Sequence, residues 1–366
     1  MTGTPIPKLI ASLCVPTVAS TLISTIYNAA DTFFVSQIGT SAAAAVGVVF
    51  SLMSVIQALG FGIGMGSGSL ISRYLGAKKN EDADRIASSA FFAALLIGFV
   101  IMAAGLLMLK DFMRLLGSTQ TMLPYSCDYA RYILIGAPVM CSAFVLNTTL
   151  RAEGLAVRSM VGLCTGGVLN VILDPLLIFT FDMGIAGAAI ATVISQTVSF
   201  SILLGFFLRR KSIVRMRARL VSKNFGDYAL IVKTGFPTIC RQGMASVASA
   251  LLNIRAAVYG DAAVAAITIA NKVYLFVRNL VLGIGQGFQP VAGYNFGAGK
   301  YSRVKEAFRF SLILGSVISV TMGALIFIFA GDVMAWFRAD DPTVIRIGSL
   351  ALRLVCAVMP VMAYST

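Results

Sequence analysis

The sequence contains no histidine, a single tryptophan, and charged residues at only 12% of its 366 positions. A soluble chain of ordinary composition is about a quarter charged, so a water-facing surface of that size is excluded, as are a disordered tail and a secreted disulfide module. The missing histidine removes the side chain that titrates nearest to neutral pH, so any proton chemistry must run through carboxylates. Acid is also the scarcer charge, 15 Asp and Glu against 29 Lys and Arg, a formal net charge of +14. Six cysteines (Cys14, Cys127, Cys141, Cys164, Cys240 and Cys356) stand singly in apolar stretches without metal-ligand spacing. They read as buried free thiols. Lys8 precedes a long apolar run with no small-residue cleavage pattern after it, so the first segment should remain as a membrane helix.

What the chain has instead is apolar length: 58% of its residues are hydrophobic. Nothing charged lies between Asp31 and Arg73, Arg85 and Lys110, Arg131 and Arg151, Asp182 and Arg209, Arg278 and Lys300, or Arg309 and Asp332. These runs predict an all-α polytopic membrane protein with helices near 9–38, 42–75, 84–109, 122–148, 156–181, 185–209, 226–256, 261–296, 302–330 and 343–366. A lipid phase leaves unpaired backbone groups no partner, which forces helices. The runs do not alternate as barrel strands must. Of the Lys and Arg in the short loops, 18 fall on one side and 5 on the other. The heavier side, with the N-terminus, should face the cytoplasm across the plasma membrane. The basic excess is therefore an orientation signal rather than a nucleic-acid footprint.

A repeat runs through the chain in the register that sets Pro237 against Pro16. In that register Gly39 meets Gly260, Gly62, Gly64 and Gly66 meet Gly283, Gly285 and Gly287, and Gly76 meets Gly297. Asp111 and Met113 likewise meet Asp332 and Met334, and after one inserted residue the repeat continues with Arg131 and Pro138 against Arg353 and Pro360. The unit is duplicated. Each unit holds six helices, an even number, so both lobes enter the membrane in the same direction, related by a pseudo-twofold axis along its normal. The expected organisation is a six-helix lobe over 1–208, a basic cytoplasmic linker over 209–224 and a second lobe over 225–366. Two full units make twelve helices. This chain stops at Tyr364-Ser365-Thr366, inside the counterpart of the helix around Ala137 to Asn147, so ten are expected here.

Several stretches resemble the multidrug and toxic compound extrusion (MATE) family. They include Ala29-Ala30-Asp31-Thr32-Phe33-Phe34-Val35, Ile71-Ser72-Arg73-Tyr74-Leu75-Gly76-Ala77, Leu150-Arg151-Ala152-Glu153-Gly154 and Leu169-Asn170-Val171-Ile172-Leu173-Asp174-Pro175. Gly184 to Thr192, Gln286-Gly287-Phe288-Gln289-Pro290 and Tyr294-Asn295-Phe296-Gly297-Ala298 follow in family order. The resemblance implies two lobes around a central cleft and alternating access driven by an inward sodium or proton gradient. It also implies export of small amphipathic, mostly cationic compounds by a transporter rather than an enzyme, with no bound cofactor and a monomeric state.

Only Asp31 and Asp174 lie within otherwise apolar spans. A carboxylate there is costly enough that its presence is a functional signal. Asn170 and Asp174 stand four apart and share a helix face. Pro175 donates no backbone hydrogen bond and loosens the preceding turn. Thr192 on the next helix adds a hydroxyl. Together Asp31, Asn170, Asp174 and Thr192 offer the oxygen ligands a hard cation such as sodium prefers. By resemblance the four match the family's cation site, and Tyr27 matches a neighbouring tyrosine. Two buried carboxylates cannot both carry charge cheaply, so the same pair suits a proton. The rival reading is a structural ion pair with Arg241, Lys272 or Arg278.

Pro16, fifteen residues before Asp31, is either a hinge or a static kink. Leu252 replaces the aspartate in the second lobe, where Arg241, Asn271, Lys272, Arg278 and Gln286 are candidates to line the cleft. The family's second-lobe carboxylates have no counterpart on these helices, apart from Asp227 at the entrance. Two alternatives stay open: a lipid-linked oligosaccharide flippase, which would favour a basic cleft, and a non-transporting membrane scaffold.

Overall fold

The computed structural model describes residues 1–257, 261–337 and 342–362. Twelve helices fill them: α1 (Ile6–Ser36), α2 (Thr40–Gly76), α3 (Asn80–Leu107), α4 (Leu109–Leu115), α5 (Leu123–Ala152), α6 (Ala156–Pro175), α7 (Gly184–Leu208), α8 (Phe225–Ala257), α9 (Asp261–Gly297), α10 (Tyr301–Ile328), α11 (Ala330–Phe337) and α12 (Pro342–Val358). All ten expected long helices are among them. The last was expected to reach residue 366, and its 363–366 portion lies outside the described residues. The additional pieces, α4 and α11, are short, and their first residues, Leu109 and Ala330, face each other in the register of Pro16 and Pro237. Each follows a residue that leaves helical geometry, Met108 and Phe329, again in that register. The duplication therefore reaches the breaks in the helices as well as their lengths.

Eight of the helices are long and apolar enough to cross a membrane. Among the others, α8 carries Asp227, Lys233, Arg241 and Arg255 along its length, and α12 has only 17 residues. Large apolar side chains point outward in number, among them Leu96, Val100, Ile172, Ile313 and Val317. A monomeric soluble protein rarely exposes such a surface. Hydrocarbon tails are the solvent that suits it.

The two halves meet along their glycines, and they do so symmetrically. A methyl group added at Gly66 of α2 would lie 2.3 Å from the Ile231 carbonyl oxygen and 2.8 Å from the Gly235 nitrogen of α8. Its counterpart, Gly287 of α9, would lie 2.8 Å from the Cys14 Cα of α1. Gly62 abuts Ile239, and Gly283 abuts Val18. At the helix ends Gly76 presses on the Tyr294 carbonyl and Gly297 on the Arg73 carbonyl. Gly62, Gly66 and Gly76 map onto Gly283, Gly287 and Gly297 in the repeat's register, and Gly235 maps onto Cys14. Close backbone approach without side chains is how helices associate tightly where no hydrophobic force distinguishes protein from lipid. All these contacts lie in the halves of α1, α2, α8 and α9 nearest the basic loops, so the lobes are sealed at the basic end.

The linker is pinned to the first lobe. Glu153, after the last turn of α5, accepts from the Ser212 hydroxyl at 2.6 Å and the Ile213 amide at 2.7 Å. Asp84 accepts from the Arg215 amide at 2.8 Å, and the Ser89 hydroxyl from the Ser222 amide at 2.8 Å. Arg85 closes an ion pair with Asp227 at 3.0 Å. Side chains on α3 and α5 thus satisfy a stretch of backbone that has no helix of its own, save one short turn at Ala218–Leu220.

Candidate cation and solute site

Asp31 and Asp174 come from helices brought together by glycine. On α6, Gly167 faces α1: an added methyl would lie 2.9 Å from Ile23 and 3.2 Å from the Tyr27 ring. Gly166 faces α7 in the same manner, 2.8 Å from Ser199. Three helices can therefore converge on Asn170 and Asp174, both buried. Directly after Pro175 the helix widens into a π-turn over Leu176–Thr180. Proline has no amide to give the Val171 carbonyl, and the backbone answers that missing bond by relaxing its winding. A methyl group added to Gly187 at the start of α7 would lie 2.7 Å from the Leu177 carbonyl oxygen within that turn, and this close approach brings Thr192 towards the site.

The Asn170 amide donates to Asp174 at 3.1 Å and to the Thr192 hydroxyl at 3.4 Å. Tyr129 of α5, fully buried, donates to Asp31 at 3.4 Å and reaches Thr192 as well. Tyr27 lies beside Asn28 and Gln196. Tyr129 thus joins Asp31 to the Asn170–Asp174–Thr192 group, and the sequence reading did not single it out. Nothing in the sequence marks it out, because α5 also carries Tyr125 and Tyr132, and Asp128 precedes it.

Three buried oxygens in this group have no hydrogen-bond partner: Asp31 Oδ1, Asn170 Oδ1 and Asp174 Oδ2. Among the described residues neither carboxylate forms an ion pair; those present are Arg85 with Asp82 and with Asp227. Acceptors without donors or counter-charges are what a proton or a hard cation satisfies.

Beside this group lies a cavity of about 340 Å³, walled by α1 from Thr17 to Asn28 and by parts of α2, α5, α6, α7, α8 and α9. Tyr27, Asn170 and Thr192 belong to its wall. Of the second-lobe candidates, Arg241 and Gln286 line it. Arg278 stands behind, donating to Gln242 at 3.2 Å, while Asn271 and the exposed Lys272 are not among the lining residues. Pro16 is buried on α1, which runs through it unbroken. Arg151, placed in a loop by its position after a charge-free run, instead ends α5 with 6% of its surface exposed. Its guanidinium donates across the cavity to Gln286.

The MatE family model matches residues 16–176 and 237–366, two stretches whose first positions are the paired Pro16 and Pro237. The chain belongs to the MATE family. It is 28% identical over 342 residues to the multidrug export protein MepA of Staphylococcus saprophyticus, covering 93% of this chain and 75% of that one. MepA of Staphylococcus aureus strain NCTC 8325 is 26% identical over 354 residues, 96% and 78% of the two chains. Among solved structures, an outward-facing conformation of a multidrug resistance MATE family transporter superposes with a TM-score of 0.93 at 28% identity, covering 99% of this chain and 81% of that one. The chain is thus an integral membrane protein of a transporter family.

Proposed function

We propose that this MATE-family chain is a secondary active exporter of small amphipathic organic compounds, coupled to inward movement of protons or sodium through Asp31 and Asp174. The observation that carries the reading is the shared wall. Tyr27, Asn170 and Thr192 line the solute cavity, and Asn170 also holds Asp174. Loading the carboxylates with a cation changes the partners of Asn170 and Thr192, and so changes the wall that the solute meets. Differential binding of this kind is what links two ligands to one equilibrium. The names of the staphylococcal relatives support a multidrug cargo, and the cavity volume suits a drug-sized molecule better than a lipid-linked oligosaccharide.

In this reading the basic end faces the cytoplasm, in keeping with the excess of Lys and Arg there. The close contact at that end, and the likeness to an outward-facing MATE structure, support reading the described conformation as the one open to the far side. Coupling rests in the first lobe, because Leu252 stands where the repeat would put a second aspartate. The experiment is export by cells expressing Asp31→Asn or Asp174→Asn. Both variants should reach the membrane at near-normal abundance and lose export at least tenfold, about 1.4 kcal/mol or more of coupling. Undiminished tolerance to exported dyes in either variant removes the coupling role.

A further inference from the structure

The cavity is polarised in a way that cation coupling does not require. Near Asp31, Asn170 and Asp174 the unpartnered buried atoms are all acceptors. Towards the basic end, along the cavity wall, they include two guanidinium nitrogens that can only donate, Arg151 Nη2 and Arg241 Nε, beside the hydroxyls of Ser195 and Ser199. All four of these residues line the cavity, and among the described residues no Asp or Glu does. The resemblance to cation exporters leads one to expect the opposite at a solute site. A cationic solute alone would meet two guanidinium groups and no acid on that wall. A buried guanidinium nitrogen without a partner is expensive, so these two need something the described protein does not supply.

We propose that the cavity receives a dipolar amphiphile whose oxyanion, a carboxylate, sulfonate or phosphate, is held by Arg151 and Arg241. The planar guanidinium fork is matched to such groups. The solute's cationic or donor-bearing end then faces the Tyr27, Asn170 and Thr192 wall. The α1 side of the cavity, from Thr17 to Asn28, is about 16 Å long at helical rise, enough to separate the two ends of a drug-sized molecule. Phe61 and Phe144, packed edge to face at 5.6 Å, give its apolar body a surface. A dipolar cargo also keeps competition with the coupling ion, because its positive end and the incoming cation seek the same acceptors. The proposal rests on the export reading, since it names the cargo of that cavity.

The test is equilibrium binding, by fluorescence polarisation, of a xanthene dye bearing a free carboxylate and of its methyl ester to the purified full chain in detergent. The wild type should bind the carboxylate form about tenfold tighter or more, as one charge-assisted bidentate contact warrants. Arg241→Gln and Arg151→Gln should each erase that preference while leaving ester binding within about threefold. If Arg151→Gln fails to accumulate, Arg241→Gln decides alone. Equal binding of both dyes by the wild type, or equal loss of both in the variants, overturns the proposal. Displacement of the dye by phosphatidylglycerol micelles but not by a soluble alkyl sulfonate also overturns it, in favour of a lipid headgroup. Asp31→Asn separates the two readings. A retained carboxylate preference with export intact in that variant sinks coupling but not the cargo. Export lost in it, with no preference in the wild type, sinks the cargo but not coupling.

Discussion

At the scale of single residues, chemistry follows from which polar atoms are left without partners. Tyr129 contributes one long hydrogen bond to Asp31, of 3.4 Å. Such a bond is worth about 1 kcal/mol. Tyr129→Phe should therefore weaken the apparent affinity for the coupling cation by about fivefold, with protein abundance unchanged, in export assays run across a range of cation concentrations. Glu153 lies outside the spans and shows what burial does to a carboxyl group. Burial pushes it up to about 7, against the Ser212 hydroxyl and the Ile213 and Val214 amides, which pull it down. The folded chain then holds a proton that the unfolded chain has already lost. Stability from this group is complete below about 4.5, the ordinary glutamate value, and is lost as pH rises through about 7. Thermal unfolding of the detergent-solubilised protein should fall in temperature across that window, and Glu153→Gln should flatten the profile. An unchanged profile in the variant would locate the titration elsewhere.

Among the elements, the glycines decide how closely helices approach. Gly76 and Gly297 are the tightest case: a methyl group would lie 2.0 Å from the Tyr294 oxygen and 1.9 Å from the Arg73 oxygen. Both obstacles are backbone, so neither can swing aside. Gly76→Val or Gly297→Val should hold the basic end apart and lower export by at least about tenfold, while leaving each lobe's own packing intact. Wild-type export rates in either variant would show that closure there is not needed. The repeat made the equivalence of these glycines legible, because its register aligns them without any structure. The register does not say that Gly76 presses on Tyr294. That contact pairs a residue with the counterpart of one three places away from itself, and only the docking of the lobes creates it.

For the whole molecule, two lobes built on one repeated plan close on each other at one end and leave a cavity between them. Cys14 offers a native reporter of that closure. It is 4% exposed, its thiol reaches towards the Ile284 carbonyl, and its backbone packs on Gly287 of the other lobe. In a variant keeping only this cysteine, a water-soluble maleimide applied from the basic side should label slowly in the described state and faster once the lobes part there. Gly297→Val, which holds them apart, should raise the labelling rate severalfold. Labelling indifferent to that variant would mean that the interface does not open at α1.

Charge-free runs were enough to determine the membrane class and the long helices, because lipid forbids unpaired backbone and penalises buried charge, and the register of glycines and prolines marked the duplicated plan. The runs also marked Asp31 and Asp174, since a carboxylate in hydrocarbon is conspicuous without reference to its neighbours. Tertiary structure decided the rest. Tyr129 joined the carboxylate group, Arg151 moved from an expected loop into the cavity wall, and Asn271 and Lys272 were left outside it. Hydrophobic periodicity reports whether a helix is buried, but the polar partners of a side chain depend on the rotation and crossing of helices distant in sequence. Those were set by where glycine let two backbones touch.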